Sequence, residues 1–326
     1  MLKESDTVKE LTLRESNHLA VGSYVQHFGF SKLPFSSLPR SSYFYQYDSA
    51  LHVLNTVIFS IKSGEAVVKV TGDPGVGKTY LLRQAMSSLA EECYVINNLN
   101  PNVSANVFLK SIVEEFGVAY SLEANNAQLI KHIQYLLYEH YTKTDYRIVV
   151  WVDDAHNLPQ QTLEVIQTLA QLETSARKLI QFVLSGTTAL DDKLKSRRLV
   201  HLKQKIIYAE RLLPLDYAAF KGYVNARLTD AGSPDGSYFT DAAMQALFKQ
   251  SFGIPRQINC IAHKAMLLAF GKGHLEIKKE DVVIAAQDQT LQQKKHDPLL
   301  FFIVYLPLML AIAGLVTVIL MEWISS

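Results

Sequence analysis

"KVTGDPGVGKTYLLRQ", Lys69 to Gln84, reads as the end of an apolar strand, a glycine-rich loop and the opening turns of a helix. Within it "GDPGVGKT" matches G-x-x-x-x-G-K-[ST] through Gly72, Gly77, Lys78 and Thr79, with the strand before and the helix after that this pattern requires. Glycines let the backbone curl until successive N–H groups and the helix N-terminus face an anion. The expected phosphate-binding residues are Gly72, Asp73, Pro74, Gly75, Val76, Gly77, Lys78, Thr79 and Tyr80. Lys78 would reach the β- and γ-phosphates and the Thr79 hydroxyl would hold Mg²⁺, so ATP with Mg²⁺ is the expected ligand.

Further along, "RIVVWVDDAHNL" ends an apolar strand in Asp153 and Asp154. A carboxylate at a strand tip beside a phosphate loop suits Mg²⁺, and its neighbour suits activation of the attacking water. Asp153 is read as the metal-side residue and Asp154 as the water-activating one, although two aspartates also make an ordinary exit from a strand. "LIQFVLSGTTAL" closes a later strand with Ser185, Gly186, Thr187 and Thr188. Thr187 is named as the hydroxyl that senses the γ-phosphate or orients water, against the competing reading of a hydroxyl-rich turn that caps a helix. In "FGIPRQIN", Arg256 opens a helix, where a cation gains nothing from the local dipole. That placement points to an anionic partner such as a γ-phosphate, with a surface ion pair as the rival.

Working outward, the apolar runs "EAVVKVTG", "CYVINN", "RIVVWVDD", "LIQFVLSG" and "KIIYAERL" alternate with helical stretches, the pattern of a parallel sheet covered on both faces. The expected helices are Thr79 to Leu89, Ala105 to Phe116, Ala127 to Tyr141, Gln160 to Leu172 and Ala189 to Lys195. After Pro214 only amphipathic helices follow, around Tyr217 to Leu228, Asp241 to Ser251, Pro255 to Phe270 and Lys279 to Gln287. The fold expected is therefore α/β with a small all-helical lid. Its boundaries are a mobile leader at 1–23, the nucleotide-binding domain at 24–213, the lid at 214–287 and a polar linker at 288–297.

The 326 residues carry a formal net charge of +1, which offers no global attraction to nucleic acid or to an anionic membrane. "KLKSRRLVHLKQK", Lys193 to Lys205, concentrates positive charge and allows a solvated face, a nucleic-acid patch or a cation given to a neighbouring subunit's nucleotide. It lacks interleaved aromatics for base stacking, so no nucleic-acid partner is expected. The two cysteines, Cys93 and Cys260, suit buried thiols in a reducing compartment. "PLLFFIVYLPLMLAIAGLVTVILM", Pro298 to Met321, has no charged side chain and is long enough to span a bilayer. Lys294 and Lys295 on its N-terminal flank place the bulk of the chain in the cytoplasm behind a single-pass anchor.

With these pieces placed, residues 24 to 290 resemble the ExeA/GspA-type secretion AAA+ ATPases. "YVQHFGFSKLPF" looks like that family's opening motif, through Phe28, Gly29, Pro34 and Phe35. "GEAVVKVTGDPGVGKT" resembles its phosphate-loop strand, "WVDDAHNL" its second acidic motif and "LETSARKLIQFVLSG" its fourth strand. "GIPRQINCIAHKAMLLAFGKG" resembles its lid helix, which implies that Arg256 is a sensor arginine. The resemblance implies a P-loop AAA+ domain with a lid, ATP hydrolysis with Mg²⁺, homo-oligomers, and inner-membrane partners in a type II secretion or MSHA-like type IV pilus apparatus. Three departures stand out. The family's Asp-Glu is Asp153-Asp154 here, its Gln-Pro after the fourth strand is Thr187-Thr188, and its Gln-Arg-Ile is Gln204-Lys205-Ile206, which leaves Arg197 or Arg198 for any arginine acting in trans. ExeA-type members continue into a peptidoglycan-binding region and this sequence ends at Ser326, so it is not expected to reach the cell wall by itself. Two rival readings remain: a nucleotide-gated scaffold with little turnover, and a transposition-type helper ATPase on DNA.

Overall fold

The computed structural model describes residues 24–36, 45–97, 100–233 and 238–294. By contacts the chain divides into two compact units. One consists of Ser37–Tyr223 with Gly253–Gln257, and the other takes the described parts of Met1–Ser36, Val224–Phe252 and Ile258–Ser326.

The first unit is built on five parallel strands: β1 (Val67–Gly72), β2 (Cys93–Ile96), β3 (Arg147–Val152), β4 (Gln181–Gly186) and β5 (Ile206–Leu212). Their spatial order is β2-β3-β4-β1-β5. The helices before and between them are α1 (Asp48–Lys62), α2 (Lys78–Ser88), α3 (Ala105–Glu115), α4 (Asn126–Lys143), α5 (Gln160–Leu169), α6 (Ala189–Lys193) and α7 (Val200–Lys205). Side chains alternate across the sheet, so each strand feeds two cores. Ile148, Val150, Val152, Phe182 and Leu184 pack with Phe108, Leu109, Ile133, Leu137 and Ile166. Val149, Trp151, Val183, Val68 and Val70 pack on the other face with Val53, Val57, Ile61, Leu81 and Leu82. Each fully buried aliphatic or aromatic side chain contributes roughly 1.5–3 kcal/mol, enough in number to hold the strand tips rigidly.

All five strands fall inside the runs expected from sequence. Helix α1, which the sequence reading passed over, buries Ala50, Val53, Leu54, Val57 and Ile61 at helical spacing beneath β1 and β5. Local caps define the ends: the Asn125 side chain accepts from Gln128 N at 3.0 Å while the Gln128 side chain accepts from Asn125 N at 2.9 Å, closing a capping box on α4.

The helical unit holds α9 (Asp241–Ser251), α11 (Lys279–Lys294), the second half of α8 (Tyr217–Asp230) and most of α10 (Pro255–Gly271). Its core contains Tyr24 and Phe28, both almost fully buried. Tyr24 meets Phe270 edge-on, Phe28 meets Tyr238, and the Tyr238 hydroxyl donates to Phe28 O at 2.7 Å. The stretch "YVQHFGFSKLPF" therefore packs with the helical unit rather than with the α/β domain assigned at 24–213, because its aromatic rings are completed by rings of α10 and of the strand-like residue pair Tyr238–Phe239. The α/β unit in turn runs on past residue 213 to Tyr223 and takes back 253–257. Helix α11 continues through 288–294, which the sequence reading gave to the linker. No helix among the described residues is long and apolar enough to cross a membrane. The leader at 1–23 and the apolar run at 298–321 lie outside the described residues.

Candidate nucleotide-binding site

β1 ends at Gly72, and a Cβ at that position would stand 2.6 Å from Leu212 O on β5. Only glycine lets the two strands stay this close as the chain turns. The loop then reaches Gly75 at φ +86° and Gly77 at φ +105°, conformations that cost other residues steric energy. Helix α2 opens at Lys78 directly behind this curl, so the N-terminus of the helix sits at the end of β1. Asp73 and Gly75 are half-buried, Pro74 and Thr79 are exposed, and Tyr80 is half-buried in the first turn.

Lys78 is only 6% exposed and donates through Nζ to Gly72 O at 3.0 Å and Asp73 O at 3.1 Å. Burial pushes its ammonium below the ordinary lysine range, opposed by the charges of Asp153, Asp154 and Asp73. Buried among three carboxylates and two carbonyls, the cation is held against the loop that would receive phosphate.

The tips of β3 and β4 close the site. The Thr79 hydroxyl donates to Asp153 Oδ2 at 2.5 Å, and Asp153 Oδ1 accepts from the Ser185 hydroxyl and from Asp154 N. Ser185 is fully buried. Asp154 adopts left-handed φ/ψ of 49°, 36° at the start of a single 3-10 turn, Ala155–Asn157, which is uncommon for a residue other than glycine. Its side chain remains 60% exposed, and His156 Nδ1 lies 3.9 Å from Asp154 Oδ1. At the opposite side of the loop Arg256 N donates to Gly75 O at 3.2 Å, and a Cβ on Gly75 would come 2.7 Å from Arg256 Cβ. Arg256 itself is exposed.

The structure thus brings Gly72 to Thr79, Asp153, Asp154 and Arg256 into one neighbourhood. Thr187, named for its hydroxyl, enters through its backbone, whose N–H donates to His156 Nδ1 at 3.4 Å. Ser185 and His156 are the residues that sequence reasoning did not select. Ser185 stood in the quoted strand tip but nothing in the sequence distinguished it from Thr187 and Thr188. The pair of oxygen donors on Thr79 and Asp153 fits a hard divalent cation such as Mg²⁺. In the basic stretch Lys193–Lys205 several cations are already engaged: Lys193 donates to Leu158 O, Lys195 pairs with Asp192, and Arg198 lies 3.8 Å from Glu164.

Comparison with known proteins bears on the family and the fold. Residues 61–194 match the AAA domain family. The chain is 34% identical over 265 residues to General secretion pathway protein A of Aeromonas hydrophila, covering 81% of this chain and 48% of that protein. It therefore spans about half the length of that relative. Among solved structures, Cdc6p from Pyrobaculum aerophilum superposes with a TM-score of 0.60 at 17% identity, over 78% of this chain and 70% of that one. The ORC2 protein of Aeropyrum pernix, solved with ADPNP and ADP, gives 0.57 at 15% identity over 79% and 72%. At such identities these two likenesses speak for the fold alone.

Proposed function

This chain belongs to the General secretion pathway protein A type of AAA proteins, and from that premise we propose that it is a membrane-anchored AAA+ ATPase assisting assembly of a type II secretion or MSHA-like type IV pilus apparatus. The observation that carries the ATPase reading is the contact of Thr79 with Asp153, which joins the phosphate loop to the acidic strand tip. ATP would lie along the loop amides of 72–79, with Lys78 on its β- and γ-phosphates. Thr79 and Asp153 would hold Mg²⁺, whose bound charge neutralises phosphate oxygens. Asp154 would accept the proton of an attacking water and Arg256 would sense the terminal phosphate. Membrane attachment rests on the uncharged run 298–321, and the secretion apparatus rests on the relative's name.

Asp154 is one methylene shorter than a glutamate, which favours slow turnover and keeps a nucleotide-gated scaffold as the second reading. Displacement of the water-activating group by about 1 Å costs on the order of a hundredfold in rate. Steady-state ATPase assays and calorimetry on the full chain separate the readings. Lys78→Ala should abolish tight ATP binding. Asp154→Asn should keep ATP bound and remove most of the turnover, and Asp154→Glu should raise it. Brisk hydrolysis that Asp154→Asn leaves untouched would remove Asp154 from the mechanism, and negligible hydrolysis throughout would favour the scaffold.

A further inference from the structure

The ring of His156 stands between two strand tips. It belongs to the turn Ala155–Asn157 that follows β3, and its Nδ1 accepts from Thr187 N, just past the end of β4, at 3.4 Å. The same atom lies 3.9 Å from Asp154 Oδ1. Gly186 leaves the ring its room, since a Cβ there would come 3.2 Å from both His156 N and His156 Nδ1. The His156 side chain is 21% exposed where that of Asp154 is 60% exposed. One ring nitrogen therefore lies near both the carboxylate and the tip of β4.

We propose that His156 is a positioning residue: its Nδ1 holds the tip of β4, and the turn that carries the ring holds Asp154. The proposal rests on the reading of Asp154 as the residue that aligns water. A neutral imidazole with its proton on Nε2 has a single lone pair on Nδ1, and donation from Thr187 N to that lone pair fixes the plane of the ring. The fixed ring anchors the turn, and the turn sets Asp154, whose carbonyl accepts from Asn157 N at 2.8 Å within it. An aspartate has few bonds through which to adjust, so the position of its carboxylate follows its backbone closely. Any shift of the β4 tip is carried to Asp154 by the ring, and loss of the ring frees both.

The test compares His156→Ala, His156→Asn and His156→Gln in the full chain. An asparagine side chain carries a polar atom on Cγ, where Nδ1 sits, whereas glutamine carries its polar atoms one bond further out. His156→Ala and His156→Gln should lower kcat by about tenfold or more while KM for ATP stays within about threefold, and His156→Asn should recover most of the loss. Hydrogen exchange at the Thr187 amide should be faster in His156→Ala and His156→Gln than in the wild type or His156→Asn. An unchanged Thr187 amide in His156→Ala, or an Asn variant no better than Gln, would overturn the proposal. If the wild type turns over no ATP, the reading of Asp154 fails by itself, and exchange at Thr187 still decides whether the tie exists.

Discussion

The role proposed for Arg256 rests on the surroundings of this single residue. It opens α10, where a cation is disfavoured by the helix dipole, yet its backbone N–H is tied to Gly75 O in the middle of the phosphate loop. The guanidinium is exposed beside that loop and free to reach an anion. Arg256→Ala is expected to lower ATP turnover by roughly tenfold, with a smaller effect on ATP affinity, because a sensing cation acts on the state in which phosphate is engaged. Turnover unchanged by the substitution would return Arg256 to the surface ion-pair reading. Motif spacing singles out Lys78, Thr79, Asp153 and Asp154 along the chain. Ser185 and His156 were not legible, since their partners are reached across the sheet and leave no spacing in the chain.

Among the elements, α11 depends on one buried carboxylate. Asp281 accepts from Lys278 N at 3.0 Å, satisfying an N–H at the helix start, and from Lys272 Nζ. Burial pushes its carboxyl upward, but the hydrogen bonds from Lys272 and Lys278 and the charges of Lys272 and His274 outweigh this and hold it below the usual carboxylate range. A depressed folded pKa stabilises the fold fully above the unfolded value of about 4, and that contribution is lost as pH falls through the folded value. Asp281→Asn should cost about 2 kcal/mol at neutral pH, moderated by water around the half-exposed Lys272. Hydrogen exchange along α11 measures this, and the difference between variant and wild type should shrink as the solution is acidified below pH 4. A difference that grows on acidification would contradict the assignment. Helix α1 lies outside the elements expected from sequence, although Val53, Leu54, Val57 and Ile61 carry the helical period.

For the molecule as a whole, each unit has its own core, and the residues proposed for the nucleotide all belong to the α/β unit, including Arg256 through the short return 253–257. All of them precede the uncharged run 298–321. Removing 298–326 should therefore release the protein from membranes in a form that still binds ATP with the affinity of the full chain, as fractionation and calorimetry would read. Full-length protein that fractionates as soluble, or that high salt alone extracts from membranes, would end the anchoring proposal. Such a run inserts by the transfer of apolar side chains into hydrocarbon, which salt does not reverse.

What the amino-acid sequence determined alone was local: the alternation of strands and helices, the glycine curl before Lys78, and the acidic end of the third strand. Hydrophobic periodicity and the conformational freedom of glycine act over a few residues, so they can be read along the chain. Tertiary structure alone decided the strand order β2-β3-β4-β1-β5. By setting β4 between β1 and β3, that order brings Asp153 within reach of both Thr79 and Ser185 and places Thr187 against His156. It was also packing that drew residues 24–36 into the helical unit, since an aromatic side chain is buried by whichever rings complete its shell and not by those nearest in sequence.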